Sequence, residues 1–288
     1  MKTDQDVWTV LSMLEWATDY FKQKNIIDPR HSIEWLLADV LGIKRLDLYL
    51  AYDRPLSPDE LDQLRPLVKR RAKHEPLQYI TGHDDFLNTR IDLTPDVLIP
   101  RIETEQLVEI ILDDHTDARG LSVLDVGTGS GCIPIALKKE RPSWQISAMD
   151  ISEDALEVAQ KNAAQNEVEV TFVQGDLTQP GAWPLSGPFD LIVSNPPYIL
   201  PEEKTMLAAQ VKEYEPSQAL FCNSIAEIYQ PIIRGGLKYL QEEGDVYLEI
   251  NESYPGEILS LFESQKWSCT LLKDYARKPR FITAHLHS

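Results

Sequence analysis

The sequence predicts an α/β protein in which a mostly parallel, seven-stranded sheet follows a small all-helical N-terminal domain and a hairpin-like linker. Three observations support this fold class. Helical periodicity runs through the N-terminal part, strand-like and helical segments alternate from Arg101 onward, and a glycine-rich turn follows the first of those strands. A chain of 288 residues also exceeds the usual size of one domain, roughly 100 to 200 residues.

A helical bundle is expected over residues 1–74. Apolar residues at positions 7, 11, 14 and 21 recur at helical spacing and predict a helix over 4–21. A second helix is expected between Pro29 and Gly42, because proline suits a first helical turn and glycine a C-terminal cap. A third helix begins after Ser57, which fits a reciprocal capping box with Glu60, and runs toward Lys73.

The hairpin-like linker is predicted over residues 75–100. Its extended runs at 85–87 and 96–99 are separated by turn-forming residues, as in a hairpin. The second domain is therefore expected to occupy residues 101–288.

In the second domain, a helix with Leu107, Ile110 and Ile111 on one face precedes the first strand, and further helices are expected near 153–165 and 224–240. Strand-like segments recur at residues 121–126, 145–149, 168–173, 189–194, 245–250, 267–272 and 280–286. Alternation of this kind implies a parallel sheet covered by helices on both faces. The last two segments are expected to form an antiparallel edge.

The charge balance narrows the possible partners. The chain carries 28 Lys and Arg against 46 Asp and Glu, a formal net charge of -18. Because nucleic-acid affinity depends largely on neutralising phosphates with basic clusters, free DNA or RNA is not expected as a partner. A basic macromolecular partner stays open, although an acidic surface more often serves solubility.

Cysteine usage and hydropathy predict the compartment. The three cysteines lie far apart without CxxC spacing, and the six histidines show no metal-ligand spacing, so a reducing compartment and no metal are expected. The first six residues are acidic where a signal peptide is basic, and no apolar run approaches the ~18 residues that span a membrane. A cytoplasmic protein without membrane partners is expected.

A candidate nucleotide site follows the first strand of the second domain. That strand runs directly into a segment that we call the glycine loop, Gly127-Thr128-Gly129-Ser130-Gly131. Closely spaced glycines at a strand-to-helix turn let the backbone approach a ligand at the carboxyl edge of an α/β sheet. Cys132 stands where a dinucleotide fingerprint has its last glycine, which argues against a pyrophosphate site.

Two further strand ends supply groups for the same ligand. Asp150 follows the second strand, where its carboxylate can accept both hydroxyl protons of a ribose diol, because Ser152 is the better cap for the next helix. Asp176 and Leu177 follow the third strand and suit the amino group and the face of an adenine. These strand ends fit an adenosine-bearing ligand, either a nicotinamide cofactor or S-adenosyl-L-methionine.

The fourth strand ends in a segment that we call the acceptor motif, Asn195-Pro196-Pro197-Tyr198. Two prolines fix the backbone and remove two donors, which leaves carbonyl oxygens to accept hydrogen bonds. Those oxygens and the side-chain carbonyl of Asn195 suit a substrate NH2 group, and Tyr198 supplies a flat wall for a planar amide or base. The motif indicates methyl transfer to a positioned nitrogen, with Asn195, Pro196 and Tyr198 as catalytic residues.

The chain resembles the peptide chain release factor glutamine methyltransferase family, also called the HemK family, over nearly its whole length. The resemblance is carried by residues 75–80, 82, 86, 97–101, 103–105, 125–132, 150–152 and 194–199. It implies a Rossmann-like methyltransferase that modifies N5 of the glutamine in the Gly-Gly-Gln motif of class 1 release factors, modulating translation termination. It also implies that the helical domain helps to dock the protein substrate.

The resemblance implies roles for the residues of both motifs. The glycine loop, Asp150, Asp176, Leu177 and Asn195 would hold S-adenosyl-L-methionine, and the acceptor motif, including Pro197, would hold the glutamine. The sequence departs from the family pattern at Ile102, usually proline, at residues 221–224, usually glycine-rich, and at Asn251, usually glycine.

Other functions share parts of this pattern. An N6-adenine nucleic-acid methyltransferase carries the same kind of acceptor motif. The acceptor could also be a glutamine of a ribosomal protein, or the chain could be a non-catalytic protein that keeps an adenosine site.

Overall fold

The structure, a computed structural model, describes residues 7–263 and 265–287. It divides into two compact units. The first comprises the described part of Met1–Gly82 together with Ala208–Tyr214, and the second comprises the described parts of His83–Leu207 and Glu215–Ser288. The domain limits expected from the sequence, 1–74, 75–100 and 101–288, stay a prediction.

The first unit is built from short helices around a core of apolar side chains. Its main elements are α1 (Val10–Gln23), α2 (Pro29–Leu41), a 3-10 helix (Arg45–Leu50), α3 (Pro58–Arg71) and α4 (Leu77–Thr81). Leu14, Phe21 and Leu36 are fully buried in this core. A short helix from later in the chain, Ala209–Tyr214, belongs to the same unit.

Capping residues set the ends of these helices. Ser57 and Glu60 exchange the reciprocal hydrogen bonds of a capping box at the start of α3, as predicted. Gly42 ends α2 in the left-handed conformation, at φ 63°, which glycine adopts without steric cost.

The predicted start of the first helix was wrong within the described residues. Thr9 is the N-cap of α1 and exchanges hydrogen bonds with Ser12, so the helix begins at Val10. Residues 8–10 instead bond to the backbone of residues 54–56, which holds them extended. Residues 4–6 of that prediction lie outside the described residues.

The second unit opens with an antiparallel hairpin of β1 (His83–Phe86) and β2 (Thr89–Asp92). The predicted second extended run, 96–99, forms no strand. The hydroxyl of Thr94 donates to the Asp96 carboxylate at 2.8 Å, and the Val97 amide donates to the Thr94 carbonyl at 3.2 Å. The turn around Pro95 thus engages a backbone amide and a carbonyl that a strand would pair with its neighbour. Residues 96–99 therefore do not continue the hairpin.

The remaining elements of the second unit alternate as the sequence predicts. In chain order they are α5 (Ile102–Asp114), β3 (Ser122–Val126), α6 (Cys132–Glu140), β4 (Gln145–Asp150), α7 (Glu153–Gln165), β5 (Thr171–Gln174), β6 (Phe189–Ser194), a 3-10 helix (Pro201–Met206), α8 (Ala209–Tyr214, in the first unit), α9 (Ser217–Leu220), α10 (Ile225–Tyr239), β7 (Leu240–Glu249), α11 (Pro255–Ser260), β8 (Trp267–Lys273) and β9 (Pro279–Leu286).

The large sheet has seven strands in the order β5-β4-β3-β6-β7-β9-β8. The first five are parallel, whereas β9 runs antiparallel to both β7 and β8, so the predicted mixed sheet with an antiparallel edge is confirmed. The strand β7 begins at Leu240, five residues before the predicted start. Its first part contains the exposed residues 241–243 and pairs irregularly opposite Phe189. It therefore lacks the apolar pattern by which a strand is predicted from sequence.

The topology places the functional edge of the sheet between β3 and β6. Chain order proceeds outward from β3 on one side and from β6 on the other, so the crevice between their carboxyl ends is a topological switch point. Val126 and Ile192 on these two strands are fully buried and belong to the apolar core of the sheet. Among the described residues, no helix combines the length and apolarity needed to span a membrane.

Candidate active site

A crevice of about 280 Å³ opens at this edge of the sheet. It brings together most of the predicted site residues. Those that line it are Gly127, Thr128, Gly129, Ser130, Asp150, Asp176, Leu177, Asn195 and Pro197. The predicted residues outside its lining are Gly131, which begins α6, and Pro196 and Tyr198, which flank Pro197 in the chain.

The glycine loop forms a cradle that needs glycine at its alternate positions. Gly127, Gly129 and Gly131 have φ values of 78°, 53° and 80°, a backbone region that residues with a Cβ rarely adopt. A Cβ on Gly131 would also lie 3.0 Å from the Cβ of Ala159 on α7. The loop therefore lines the crevice with backbone at Gly127 and Gly129, where no side chain fills the space.

Asp150 at the end of β4 is anchored by backbone amides. Its Oδ2 accepts a hydrogen bond from the Gly129 amide at 2.8 Å, and its Oδ1 accepts one from the Ser152 amide at 2.9 Å. Ser152 caps α7 through the Ala155 amide, as predicted. Burial raises the pKa of Asp150, and the two amides act against that rise. Each carboxylate oxygen keeps a further lone pair with which to accept a ribose hydroxyl.

Asp176 after β5 is held in a tight turn. Its Oδ1 accepts hydrogen bonds from the amide and hydroxyl of Thr178, at 2.8 and 2.7 Å, and its Oδ2 accepts from the Gln179 side chain at 2.9 Å. These bonds fix the carboxylate at the crevice wall, while the half-buried Leu177 packs against the sheet core. The pair thus presents a fixed acceptor beside an apolar surface.

Asp125 on β3 is a further candidate that pattern reading had not singled out. It is 0% exposed, its oxygens make no hydrogen bond of normal geometry among the described residues, and the nearby Thr128 hydroxyl acts to lower its pKa. Burial raises the pKa of Asp125 to about 7. A carboxylate inside a strand of apolar residues was the sequence signal, since such groups are rarely buried without a partner.

The acceptor motif is fixed by a chain of side-chain hydrogen bonds. The Nδ2 of Asn195 donates to the Thr104 hydroxyl at 2.9 Å, and that hydroxyl donates to Glu249 Oε2 at 2.7 Å. The Tyr198 hydroxyl donates to Glu249 Oε1 at 2.9 Å. Neither Thr104 nor Glu249 was assigned to the site from the sequence, although their side chains connect both ends of the acceptor motif.

Asn251, where the family pattern has glycine, supports the same segment. Its Nδ2 donates to the Tyr198 backbone carbonyl at 3.0 Å and to Glu203 Oε2 at 2.9 Å, and its Oδ1 accepts from the Ser253 amide. Glu203 in turn accepts from the Leu200 amide. Asparagine at this position thus adds hydrogen bonds that hold the backbone after the acceptor motif.

We expect Asn251→Gly to lower kcat by about 3- to 10-fold, because it removes hydrogen bonds worth about 1 kcal/mol each from the segment that follows Tyr198. Steady-state kinetics with saturating methyl donor measures this. Asn88→Gly, at an exposed position bonded to Glu140, is the matched control and should keep full turnover. Wild-type turnover in Asn251→Gly would show that these ties have no role in the acceptor site.

Comparisons with known proteins place this site in a class. The family described as methyltransferase small domain matches residues 81–213, and the family described as PrmC N-terminal domain matches residues 12–82. The methyltransferase match covers most of the segments that line the crevice, including the glycine loop and Asn195, so the fold and the site define an S-adenosylmethionine-dependent methyltransferase.

The relatives define the family more narrowly. The release factor glutamine methyltransferase of Geobacter sulfurreducens is 40% identical, over 91% of this chain and 91% of its own. That of Chlorobaculum tepidum is 38% identical, over 97% of this chain and 98% of its own. The chain belongs to the release factor glutamine methyltransferase family.

Solved structures show the same fold at lower identity. The T. thermophilus 16S rRNA N2 G1207 methyltransferase, determined with AdoMet and guanosine, gives a TM-score of 0.54 at 17% identity, covering 71% of this chain and 50% of that one. The hMettl16 catalytic domain, in complex with the MAT2A 3'UTR hairpin 1, gives 0.54 at 17% identity, covering 82% and 84%. These similarities show the fold and do not identify the methyl acceptor.

The residues present fit the methyl donor of this class. At Gly127 and Gly129 a Cβ would meet no protein atom within 4 Å, so the backbone there borders open space, and Asp125, two residues before Gly127, is a carboxylate that makes no hydrogen bond of normal geometry among the described residues. An unpaired buried carboxylate favours a ligand with positive charge, which a sulfonium and an ammonium group both carry.

Proposed function

We propose that this chain transfers the methyl group of S-adenosyl-L-methionine to N5 of the glutamine in the Gly-Gly-Gln motif of class 1 release factors, and so modulates translation termination. The observation that carries the proposal is the acceptor motif, whose Asn195 amide is oriented by Thr104 beside the crevice. Family membership supports the acceptor, since the relatives are named for release factor glutamine.

We assign the binding roles as follows. The glycine loop, Asp150, Asp176 and Leu177 bind the donor with a contribution from Asn195, and the acceptor motif binds the glutamine side chain. Asn195 has its NH2 group facing Thr104, so its Oδ1 is the atom left to accept a proton of the substrate amide. The carbonyl oxygens around Pro196 and Pro197 are acceptors for the second proton, and the Tyr198 ring flanks the amide plane.

The chemistry is a direct displacement. The bound cofactor supplies an activated methyl group on a sulfonium. The nitrogen would displace S-adenosylhomocysteine as it forms the N–C bond, and its proton would pass to water after the methyl group is attached. An amide nitrogen is a weak nucleophile because its lone pair is delocalised, so this chain contributes chiefly by orienting that lone pair and excluding water. A strong base is not required.

The helical segment 1–74 is proposed to help dock the protein substrate, with 75–100 as linker and 101–288 as the methyltransferase domain, acting in the cytoplasm. A net charge of -18 supports a protein partner over free nucleic acid, which would meet electrostatic repulsion.

A methyl-transfer assay with three substrates tests the proposal. The protein is incubated with labelled S-adenosyl-L-methionine and a class 1 release factor, duplex DNA, or a ribosomal protein mixture. Label is expected on the release factor and to vanish when its Gly-Gly-Gln glutamine is replaced. Label on DNA or on a ribosomal protein alone would support the competing functions instead.

A further inference from the structure

The Glu249 carboxylate is buried in an unusual position for an acid. It is 1% exposed at the last residue of β7, and its two oxygens accept hydrogen bonds from two hydroxyl groups, those of Thr104 and Tyr198. Burying a carboxylate costs several kcal/mol unless its lone pairs are satisfied. The Tyr229 hydroxyl also donates to the Glu249 backbone carbonyl at 3.1 Å, which fixes this residue from a third side.

The ionised state of the Glu249 carboxylate fixes the direction of the hydrogen bonds that link it to Thr104, Tyr198 and Asn195. An ionised Glu249 can only accept, so the hydroxyls of Thr104 and Tyr198 must both donate to it. The single proton of the Thr104 hydroxyl is then used, and this hydroxyl can only accept from Asn195. Therefore the NH2 end of the Asn195 side chain faces Thr104, and its carbonyl oxygen is the atom left to accept from a ligand in the crevice that Asn195 lines.

We propose that Thr104 and Glu249 are positioning residues for methyl transfer, which set the orientation of the Asn195 amide and, through Tyr198, the wall opposite it. This inference rests on the proposed function, because it concerns the same acceptor. Glu249 lies outside the crevice lining, and Thr104, which does line the crevice, acts through the Asn195 amide to which its hydroxyl is bonded. Their effect is to remove the alternative, flipped amide, which would present two donors to a substrate NH2 group that needs acceptors.

The positions of these residues suit such a role. Thr104 lies in the first turn of α5 and is 2% exposed, and its hydroxyl is bonded to both Asn195 and Glu249. Glu249 ends a central strand, and Asn195 follows Ser194, which is tied to the Val126 carbonyl at 2.6 Å. Burial raises the pKa of Glu249, and the hydroxyls of Thr104 and Tyr198 oppose that rise by favouring the ionised form that the network requires.

The first test replaces the hydroxyl without changing the shape. In Thr104→Val, kcat on a class 1 release factor is expected to fall by about 10- to 100-fold, the effect of losing one hydrogen bond to a charged network. The dissociation constant for S-adenosyl-L-methionine, measured by calorimetry, should change less than about twofold. Thr104→Ser restores a hydroxyl and should recover most of the turnover.

A matched control separates positioning from stability. Thr89 is also a buried threonine of the second unit, and its hydroxyl donates to the Phe86 carbonyl at 2.7 Å. Thr89→Val should lower the unfolding temperature about as much as Thr104→Val, with unchanged kcat. Equal kcat values for the two valine variants would overturn the inference.

A double-mutant cycle provides the sharpest discrimination. Because Thr104 is inferred to act through Asn195, Thr104→Val should cost less than about twofold in kcat once Asn195 is alanine. Full additivity of the two losses would contradict the inference.

The isosteric Glu249→Gln gives a second test if Thr104→Val folds poorly. It introduces a hydrogen-bond donor and permits the flipped amide, so kcat should fall by about 10-fold or more at unchanged affinity for S-adenosyl-L-methionine. Wild-type kcat in Glu249→Gln would also overturn the inference.

The methyl-transfer assay also distinguishes failure of the positioning role from failure of the proposed function. If wild-type protein transfers no methyl group to a release factor, the proposed function fails. If wild-type protein does so and the Thr104 and Glu249 variants match it, the function stands and the positioning role fails.

Discussion

Asn195→Ala is expected to reduce kcat by about 100-fold or more, because it removes the side-chain acceptor that orients the weak amide nucleophile. The affinity for S-adenosyl-L-methionine should change much less, by about threefold at most, since the glycine loop and Asp150 form most of the donor site. Single-turnover methylation of a release factor at saturating donor measures the first quantity. Calorimetric titration of the donor measures the second.

A control with the same substitution shows whether the loss is local. Asn88 is exposed and donates to Glu140 at 2.8 Å, away from the crevice lining. Asn88→Ala should keep wild-type turnover. The assigned role of Asn195 would be refuted by normal single-turnover rates in Asn195→Ala, and a parallel loss of donor affinity would reassign it to cofactor binding.

Asp150→Ala is expected to weaken binding of S-adenosyl-L-methionine by about 100-fold or more, because the two hydrogen bonds from a ribose diol to a carboxylate contribute about 1.5 to 3 kcal/mol each. The substitution also releases the Gly129 amide, which loosens the glycine loop and adds to the loss. At saturating donor, kcat should recover toward the wild-type value. Calorimetric titration and donor-dependent kinetics give the two numbers.

Asp154→Ala is the matched control for this carboxylate. Asp154 is exposed in the first turn of α7, four residues beyond Asp150, and lies outside the crevice lining. Its loss removes the same charge and should leave donor affinity unchanged. An unaltered dissociation constant in Asp150→Ala would contradict the ribose assignment.

Much of the fold was predictable because it follows from local rules. The capping box at Ser57, the left-handed cap at Gly42 and the alternation of strands and helices depend on neighbours within a few residues. The glycine loop was predictable for the same reason, since its three positive φ values require glycine.

Other features depend on contacts that no local pattern reveals. The Thr104–Glu249 hydrogen bond joins residues 145 positions apart, so neither residue could be assigned to the acceptor site from spacing. The start of β7 at Leu240 is set by pairing with Phe189, against the polar character of the following residues. The run at 96–99 looked like a strand from composition, but the turn at Thr94 directs it to the crevice.

Tandem mass spectrometry of a class 1 release factor, incubated with this protein and S-adenosyl-L-methionine, tests whether this chain methylates the release-factor glutamine. One added methyl group is expected, located on the side-chain nitrogen of the glutamine in the Gly-Gly-Gln peptide. A release factor that stays unmodified while the donor binds normally, or a methyl group on any other residue, would contradict it.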